Sequence, residues 1–141
     1  MSAADLDRFV QAQDSSGTYA HALAELRRGR KTSHWMWFVF PQVAGLGQSS
    51  ISRRYAVAGL DEARSYLAHP VLGPRLRESC QAALGVRDAP AEEVFGSTDA
   101  MKLRSSMTLF SVADPDEPLF ADVLDRFFAG QPDARTLELL D

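Results

Sequence analysis

Apolar residues recur every three to four positions along most of this chain, the spacing typical of helices that bury one face. Strand-type alternation is nearly absent, and only the run from Met36 to Phe40 is short enough to fit either a helix or a strand. Helices are predicted around residues 6–10, 19–28, 61–69, 70–83, 91–95, 98–110, 119–128 and 133–140. The pattern therefore predicts an all-α protein, with one compact multihelical domain spanning residues 1–141.

Glycines, prolines and short polar residues mark the expected helix boundaries. Gly29 and Gly96 are typical helix terminators, because glycine readily adopts the left-handed conformation that closes a helix. The polar stretch 49–55 is expected to be a loop or one irregular turn. The expected helix starts are Asp61 as a cap, Pro70 in a first turn after His69, Ser97 or Thr98 as a cap, and Asp133 as a cap.

Charge and cysteine content exclude some classes of function. The formal net charge of −4 argues against general nucleic-acid binding, although a local basic strip runs from Arg27 to Lys31. The one cysteine, Cys80, cannot form an internal disulfide and provides no Cys/His zinc set, which indicates a reducing compartment.

Nothing in the sequence suggests export or membrane insertion. The first residues are acidic and lack a sustained apolar stretch, so they do not resemble a signal peptide. The longest apolar run, residues 35–40, is far shorter than the roughly 20 residues that a membrane helix needs. We expect a cytoplasmic protein without membrane contact or cofactor, and the oligomeric state stays open.

The segment GRKTSHWMWFVFPQ, residues 29–42, sets cations and a histidine directly against aromatic residues. Trp35 or Trp37 could stack on a planar ligand, while Arg30, Lys31 and His34 could meet an anion. His34 has an alternative interpretation as a buried, hydrogen-bonded histidine. If the segment is helical, the two tryptophans should differ in burial, because residues two apart cannot share one helix face.

A second cluster lies in the helix after Thr98. Lys102, Ser105 and Ser106 stand at i, i+3 and i+4 and are expected to share a polar face that could hold a phosphate or carboxylate. The alternative is a solvated lysine with two serines bonding to the preceding turn. The order reverses the Ser-x-x-Lys of serine acyl enzymes, so we reject that mechanism.

The remaining polar candidates are weaker. The sequence from Gly45 to Ser50 lacks the Lys-Ser/Thr ending of a phosphate-binding loop, but Ser49 and Gln42 could donate hydrogen bonds to a ligand. Asp99 is typical of a helix start, where the dipole favours an acid, and is a candidate for a further role. No histidine pair has metal-ligand spacing, so no metal site is expected.

We expect the tryptophan-rich segment and the Lys102 helix to be neighbours, because both place cations or hydroxyls beside core aromatics and such groups need shared partners. Lys102, Ser106 and His34 should then line one pocket, with His34 and Lys102 as catalytic candidates. The expected ligand contacts are Arg30, Lys31, Trp35, Trp37, Gln42, Ser49, Asp99, Ser105 and Ser106.

Several long motifs resemble the bacterial family catalogued as domain of unknown function 1810. They are Phe9-Val10-x-Ala12-Gln13, Gly29-Arg30-Lys31-x-Ser33-His34-Trp35-Met36-Trp37, Phe40-Pro41-Gln42, Gly45-Leu46-Gly47, Tyr66-Leu67-x-His69-Pro70, Phe95-Gly96-x-x-Asp99 and Lys102-Leu103-x-Ser105-Ser106-Met107-Thr108-Leu109-Phe110. The resemblance implies a compact, mainly helical domain without an established activity. Some members carry the label calpastatin, which names disordered inhibitors and disagrees with this globular composition.

The chain also resembles, more distantly, the NADAR family of helical enzymes that cleave N-glycosidic bonds in ADP-ribose or riboflavin-pathway metabolites. The similar motifs, in order, are Gln11-Ala12-Gln13, Gly29-Arg30, His69-Pro70-x-Leu72 and Phe95-Gly96. The family's acidic position falls on Asp7, beside Arg8, and Phe95 replaces a tryptophan. The resemblance implies Asp7 as a third catalytic candidate.

Two functions from different classes follow. The first is a hydrolase or binding domain for a nucleotide or ADP-ribose-like metabolite, a small anionic ligand. The second is a non-catalytic helical interaction domain whose polar motif residues form a structural network. The two differ in whether Lys31, His34, Gln42, Lys102 and Ser106 converge on one open cleft.

Overall fold

In the computed structural model, which describes residues 3–140, the chain is a succession of helices joined by short turns. The helices are α1 (Ala3–Asp14), α2 (Thr18–Arg28), α3 (Met36–Val39), α4 (Ser50–Arg54), α5 (Leu60–Ala68), α6 (Leu72–Leu84), α7 (Ala91–Phe95), α8 (Ser97–Ala113), α9 (Pro118–Phe128) and α10 (Ala134–Leu140), with a 3-10 turn at Ser15–Gly17. Within the described residues, β-type pairing is limited to one bridge between Val43 and Val57. The all-α prediction is confirmed, while the expected domain limits, residues 1 and 141, lie outside the described range.

Helix α8 runs through the centre of the fold and packs against α3, α5, α7, α9 and α10. Every side chain from Ser105 to Phe110 is buried as a result. The polar face expected for Lys102, Ser105 and Ser106 therefore does not extend to Ser106, because neighbouring helices cover the second half of α8 on several sides. Helix α9 closes the core as expected, but it buries Phe120, Val123 and Leu124, while Leu119 and Phe127 of the expected apolar stripe are only partly buried.

The helix ends follow the glycine predictions. Gly29 and Gly96, with φ of 79° and 83°, terminate α2 and α7. Asp133 caps α10, since its carboxylate accepts the backbone N–H of Thr136 at 2.9 Å.

Two expected helix starts are wrong in detail. Gly59 precedes α5 and Asp61 lies inside the first turn, where an acid still faces the helix dipole favourably. Helix α6 begins at Leu72 rather than around Pro70. Its first N–H groups are satisfied by the imidazole of His69, which accepts from Val71 and Leu72.

The other two boundaries also differ from expectation. Gly96 occupies the capping position of α8, so neither Ser97 nor Thr98 caps that helix. The polar stretch expected as a loop or one irregular turn contains the short regular helix α4, because the hydroxyl of Ser49 accepts the N–H of Ser52 at 3.1 Å and caps it. Across residues 3–140, no helix combines the length and apolar character needed to cross a membrane.

Candidate functional site

The tryptophan-rich segment contains a single helical turn, α3, which settles the choice between helix and strand. Trp35 is 0% exposed, whereas Trp37 is only partly buried at the edge of the core. The predicted difference in burial is confirmed. Trp35 lies where no ligand ring can reach it, so its expected stacking role is wrong and Trp37 is the tryptophan that remains available.

Glu25 holds the loop before α3 in place. Its carboxylate accepts the N–H groups of Thr32 and Ser33 at 2.7 and 3.0 Å, the hydroxyl of Ser33, and the indole N–H of Trp35 at 2.9 Å. Burial opposes ionisation, but these hydrogen bonds outweigh it and lower the pKa of Glu25 to about 2. The sequence interpretation missed Glu25; the available signal was an acid on the apolar face of α2, beside Ala22 and Leu26.

Two lysines share the carboxylate of Asp99. Lys31, whose side chain is 7% exposed, lies 2.8 Å from one Asp99 oxygen, and Lys102 lies 3.2 Å from the other. Burial opposes ionisation of Asp99, yet its hydrogen bonds to the lysines and their positive charges hold its pKa below the ordinary value.

Each of these ammonium groups also lies over a tryptophan: Lys31 is 5.1 Å from a Trp35 ring centroid, and Lys102 is 4.9 Å from that of Trp37. The prediction that the tryptophan-rich segment and the Lys102 helix are neighbours is confirmed, and Asp99 is the group that joins them.

An open cleft of about 340 Å³ lies beside this cluster, between the loop after α3, α4, α8 and α10. Its lining residues are Gln42, Leu46, Gly47, Ser52, Thr98, Met101, Lys102, Ser105, Asp133 and Arg135. The amide nitrogen of Gln42 donates to the hydroxyl of Ser105 at 2.6 Å, which ties the loop to α8. We call this space the α8–α10 cleft.

The expected pocket of Lys102, Ser106 and His34 is not formed, since Lys102 alone of the three lines the α8–α10 cleft. Ser106 is one residue past Ser105 and so about 100° further round the helix, where it is fully buried. Its hydroxyl has no hydrogen-bond partner among the described residues. His34 is exposed, which excludes the alternative of a buried histidine.

The other expected site residues lie outside the cleft lining. Arg30 is exposed, and so is Asp7 on α1. Ser49 caps α4, while Lys31 and Asp99 form the ion pair behind Lys102. Of the site residues expected from the sequence, the structure brings Gln42, Lys102 and Ser105 together at one cleft.

Sequence reasoning missed the contribution of α10. Arg135 and Asp133 reach the cleft although they are separated from Lys102 by a whole helix hairpin. Thr108 places them, because its hydroxyl accepts the backbone N–H of Asp133 at 2.9 Å. No local pattern signals such a long-range contact. Within the described residues, no group of three or more His, Cys, Asp or Glu side chains could hold a metal ion.

Comparisons with known proteins identify relatives without assigning an activity. The model of the family described as "Protein of unknown function (DUF1810)" matches residues 3–140. The crystal structure of the conserved hypothetical protein Rv1873 from Mycobacterium tuberculosis is similar to this chain, with 47% identity, a TM-score of 0.93 and coverage of 96% of each chain. No curated protein matches. The motifs, the family match and the shared helical fold agree, and the chain belongs to the DUF1810 family.

Proposed function

We propose that the chain binds a small anionic, nucleotide-like ligand in the α8–α10 cleft. The observation that carries this proposal is the charge balance of the Lys31–Asp99–Lys102 cluster. Asp99 supplies one negative charge against two positive ones. Because Lys31 is nearly buried and pairs with Asp99 at the shorter distance, one positive charge remains on Lys102, which lines the cleft.

Arg135, on α10, adds a second cation to the lining of the cleft. Its ion pair with Glu138, at 3.6 Å, joins two exposed side chains, and such surface pairs are weak enough for a ligand to compete with them. Asp133 also lines the cleft, but one of its oxygens is occupied by the N–H and hydroxyl of Thr136. The volume of about 340 Å³ falls within the range of small-molecule sites.

A more specific proposal, suggested by the NADAR resemblance, is that the chain cleaves an N-glycosidic bond in its ligand. Such a reaction uses a carboxylate close to the sugar. Asp133 is the carboxylate that lines the cleft, whereas Asp7 is exposed on α1. Incubation with ADP-ribose, followed by chromatography of the products, tests this step; a rate unaffected by Asp133→Asn would assign the reaction to another group.

The binding proposal is tested with ADP-ribose and pyrophosphate, by calorimetry and by the shift in melting temperature. A ligand at 100 times its dissociation constant stabilises a protein by ~2.7 kcal/mol, which raises the melting temperature by several degrees. Lys102→Met should weaken binding at least about tenfold and change stability by no more than about 1 kcal/mol.

Two further variants separate the site from the fold. Lys31→Met removes the buried partner of Asp99, so it should lower both stability and affinity. Arg28→Met removes an exposed cation of α2, which does not line the cleft, and should bind as wild type does. Absence of any anion-dependent shift in the wild-type protein would overturn the proposal.

The second candidate function, an interaction domain, is favoured by one observation. Among the residues whose burial the structure describes, three large apolar side chains are exposed, Ile51, Met101 and Leu137, and Met101 is 70% exposed at the edge of the cleft. If the protein binds no anion and elutes as a stable oligomer that Met101→Lys dissociates, this function replaces the first.

A further inference from the structure

The hydrogen bond between Gln42 and Ser105 fixes the orientation of an amide inside the α8–α10 cleft. The Ser105 hydroxyl lies 3.1 Å from the carbonyl oxygen of Lys102 and 3.3 Å from that of Met101, and carbonyl oxygens can only accept. The single Ser105 proton is directed to them, so the Ser105 oxygen is left to accept. The amide of Gln42 is accordingly placed with its NH₂ group towards Ser105, and its nitrogen lies 2.6 Å from the serine oxygen.

The carbonyl oxygen of Gln42 then remains as an acceptor. No donor from the described part of the chain bonds to it. This oxygen is also accessible to solvent. Among the described residues, the Ser106 hydroxyl is the one buried side-chain oxygen or nitrogen that lacks a hydrogen-bond partner, so the Gln42 oxygen is not buried. Since Gln42 lines the cleft, its free oxygen opens to the same space as Lys102 and Arg135.

We infer that Gln42 determines specificity by accepting a hydrogen bond from a hydroxyl of the ligand, so the ligand class is hydroxyl-bearing organic phosphates. This inference rests on the proposed function and narrows it. Lys102 and Arg135 attract the phosphate but do not distinguish one phosphate ester from another. A hydrogen-bond acceptor with a fixed direction can distinguish between phosphate esters. A ligand without a matching donor would remove water from the amide oxygen and leave it without a hydrogen bond.

The test compares two probes with the same three-carbon skeleton. Glycerol 3-phosphate carries two hydroxyls and propyl phosphate carries none, and dissociation constants for both are measured by calorimetry on the wild-type protein. We expect glycerol 3-phosphate to bind about tenfold more tightly. In Gln42→Met, which removes the acceptor, the ratio of the two affinities should fall to about one.

Ser105→Ala is the second variant and serves if Gln42→Met does not fold. Without the serine oxygen the amide can rotate, so the preference for glycerol 3-phosphate should decrease. Equal binding of both probes by the wild-type protein would overturn this inference but would not contradict the proposed anion site. Binding of neither probe, nor of pyrophosphate or ADP-ribose, would overturn the proposed function itself. A preference that survives Gln42→Met would assign the hydroxyl recognition to another residue.

Discussion

At the scale of single residues, Glu25 has the largest structural consequence among the polar groups. The residue is 5% exposed, and its carboxylate accepts hydrogen bonds from four donors of the segment that leads into α3. Such a charge, fully hydrogen-bonded and out of water, stabilises the fold only while it is ionised.

Glu25→Gln should lower the free energy of unfolding by about 3 kcal/mol at pH 7, because the NH₂ group of the glutamine would face N–H and O–H groups that also donate. The pKa of Glu25 lies near 2 in the folded state, below its ordinary value of 4.5. Its contribution is therefore complete above about pH 5 and is lost as the pH falls from 4.5 towards 2. Urea denaturation at pH 7 and at pH 3 measures both effects.

Glu93→Gln, at an exposed position of α7, is the control and should cost less than about 1 kcal/mol. A Glu25→Gln protein whose stability falls with acid as steeply as that of wild type would contradict the assignment.

The types of residue in the sequence predicted the site better than the helix faces to which the residues were assigned. Lys102, Ser105 and Gln42 were recognisable because a cation, a hydroxyl and an amide stood beside core aromatics. Ser106 was assigned to the same face as Lys102, yet it is fully buried in the structure and does not reach the cleft. Helical spacing gives the direction of a side chain but not the neighbour that covers it, and on α8 several helices compete for that role.

At the scale of elements, α5 and α6 pack so closely that one position excludes any side chain. A Cβ atom added to Gly73 would lie 2.2 Å from the carbonyl oxygen of Leu67. Gly73→Ala must push the two helices apart and should cost about 1–3 kcal/mol, measured by thermal or urea unfolding. Gly59→Ala is the matched control, because a Cβ there meets nothing within 4 Å.

Helix α10 depends on a clamp from α8. The hydroxyl of Thr108 accepts the N–H of Asp133 and donates to the carbonyl of Arg104, whose guanidinium donates to the carbonyl of Gln131. Thr108→Val keeps the shape but leaves the Asp133 N–H unpaired. We expect faster hydrogen exchange over residues 134–140 and weaker anion binding, because Arg135 loses its fixed position. Ser111→Ala, which removes a local bond to the Thr108 carbonyl, should change neither.

The elements themselves were largely predictable, and their junctions less so. Gly29 and Gly96 end helices through an intrinsic backbone property, so the sequence is sufficient there. His69 caps α6 through an imidazole, an unusual cap that propensity rules do not anticipate. The approach of α10 to the cleft is a tertiary event that no local sequence pattern encodes.

At the scale of the whole molecule, the buried residues form one continuous cluster that reaches from α1 to α9. We expect one cooperative unfolding transition, because no helix keeps its apolar face covered without the others. Circular dichroism, which reports helix content, and tryptophan emission, which reports the surroundings of Trp35 and Trp37, should give the same midpoint. Two separated midpoints would show that the chain contains more than one folding unit.

The unequal burial of the two tryptophans provides a built-in optical assay. Trp35 is sealed in the core and its emission should respond only to unfolding, whereas Trp37 lies under the Lys102 ammonium beside the cleft. An anion that draws Lys102 away from the indole would alter the emission of Trp37 and leave that of Trp35 constant. Titration of the unlabelled protein with an anion would then measure occupancy of the cleft directly. Trp37→Phe should abolish this change in emission, while the remaining emission of Trp35 would still show that the protein is folded.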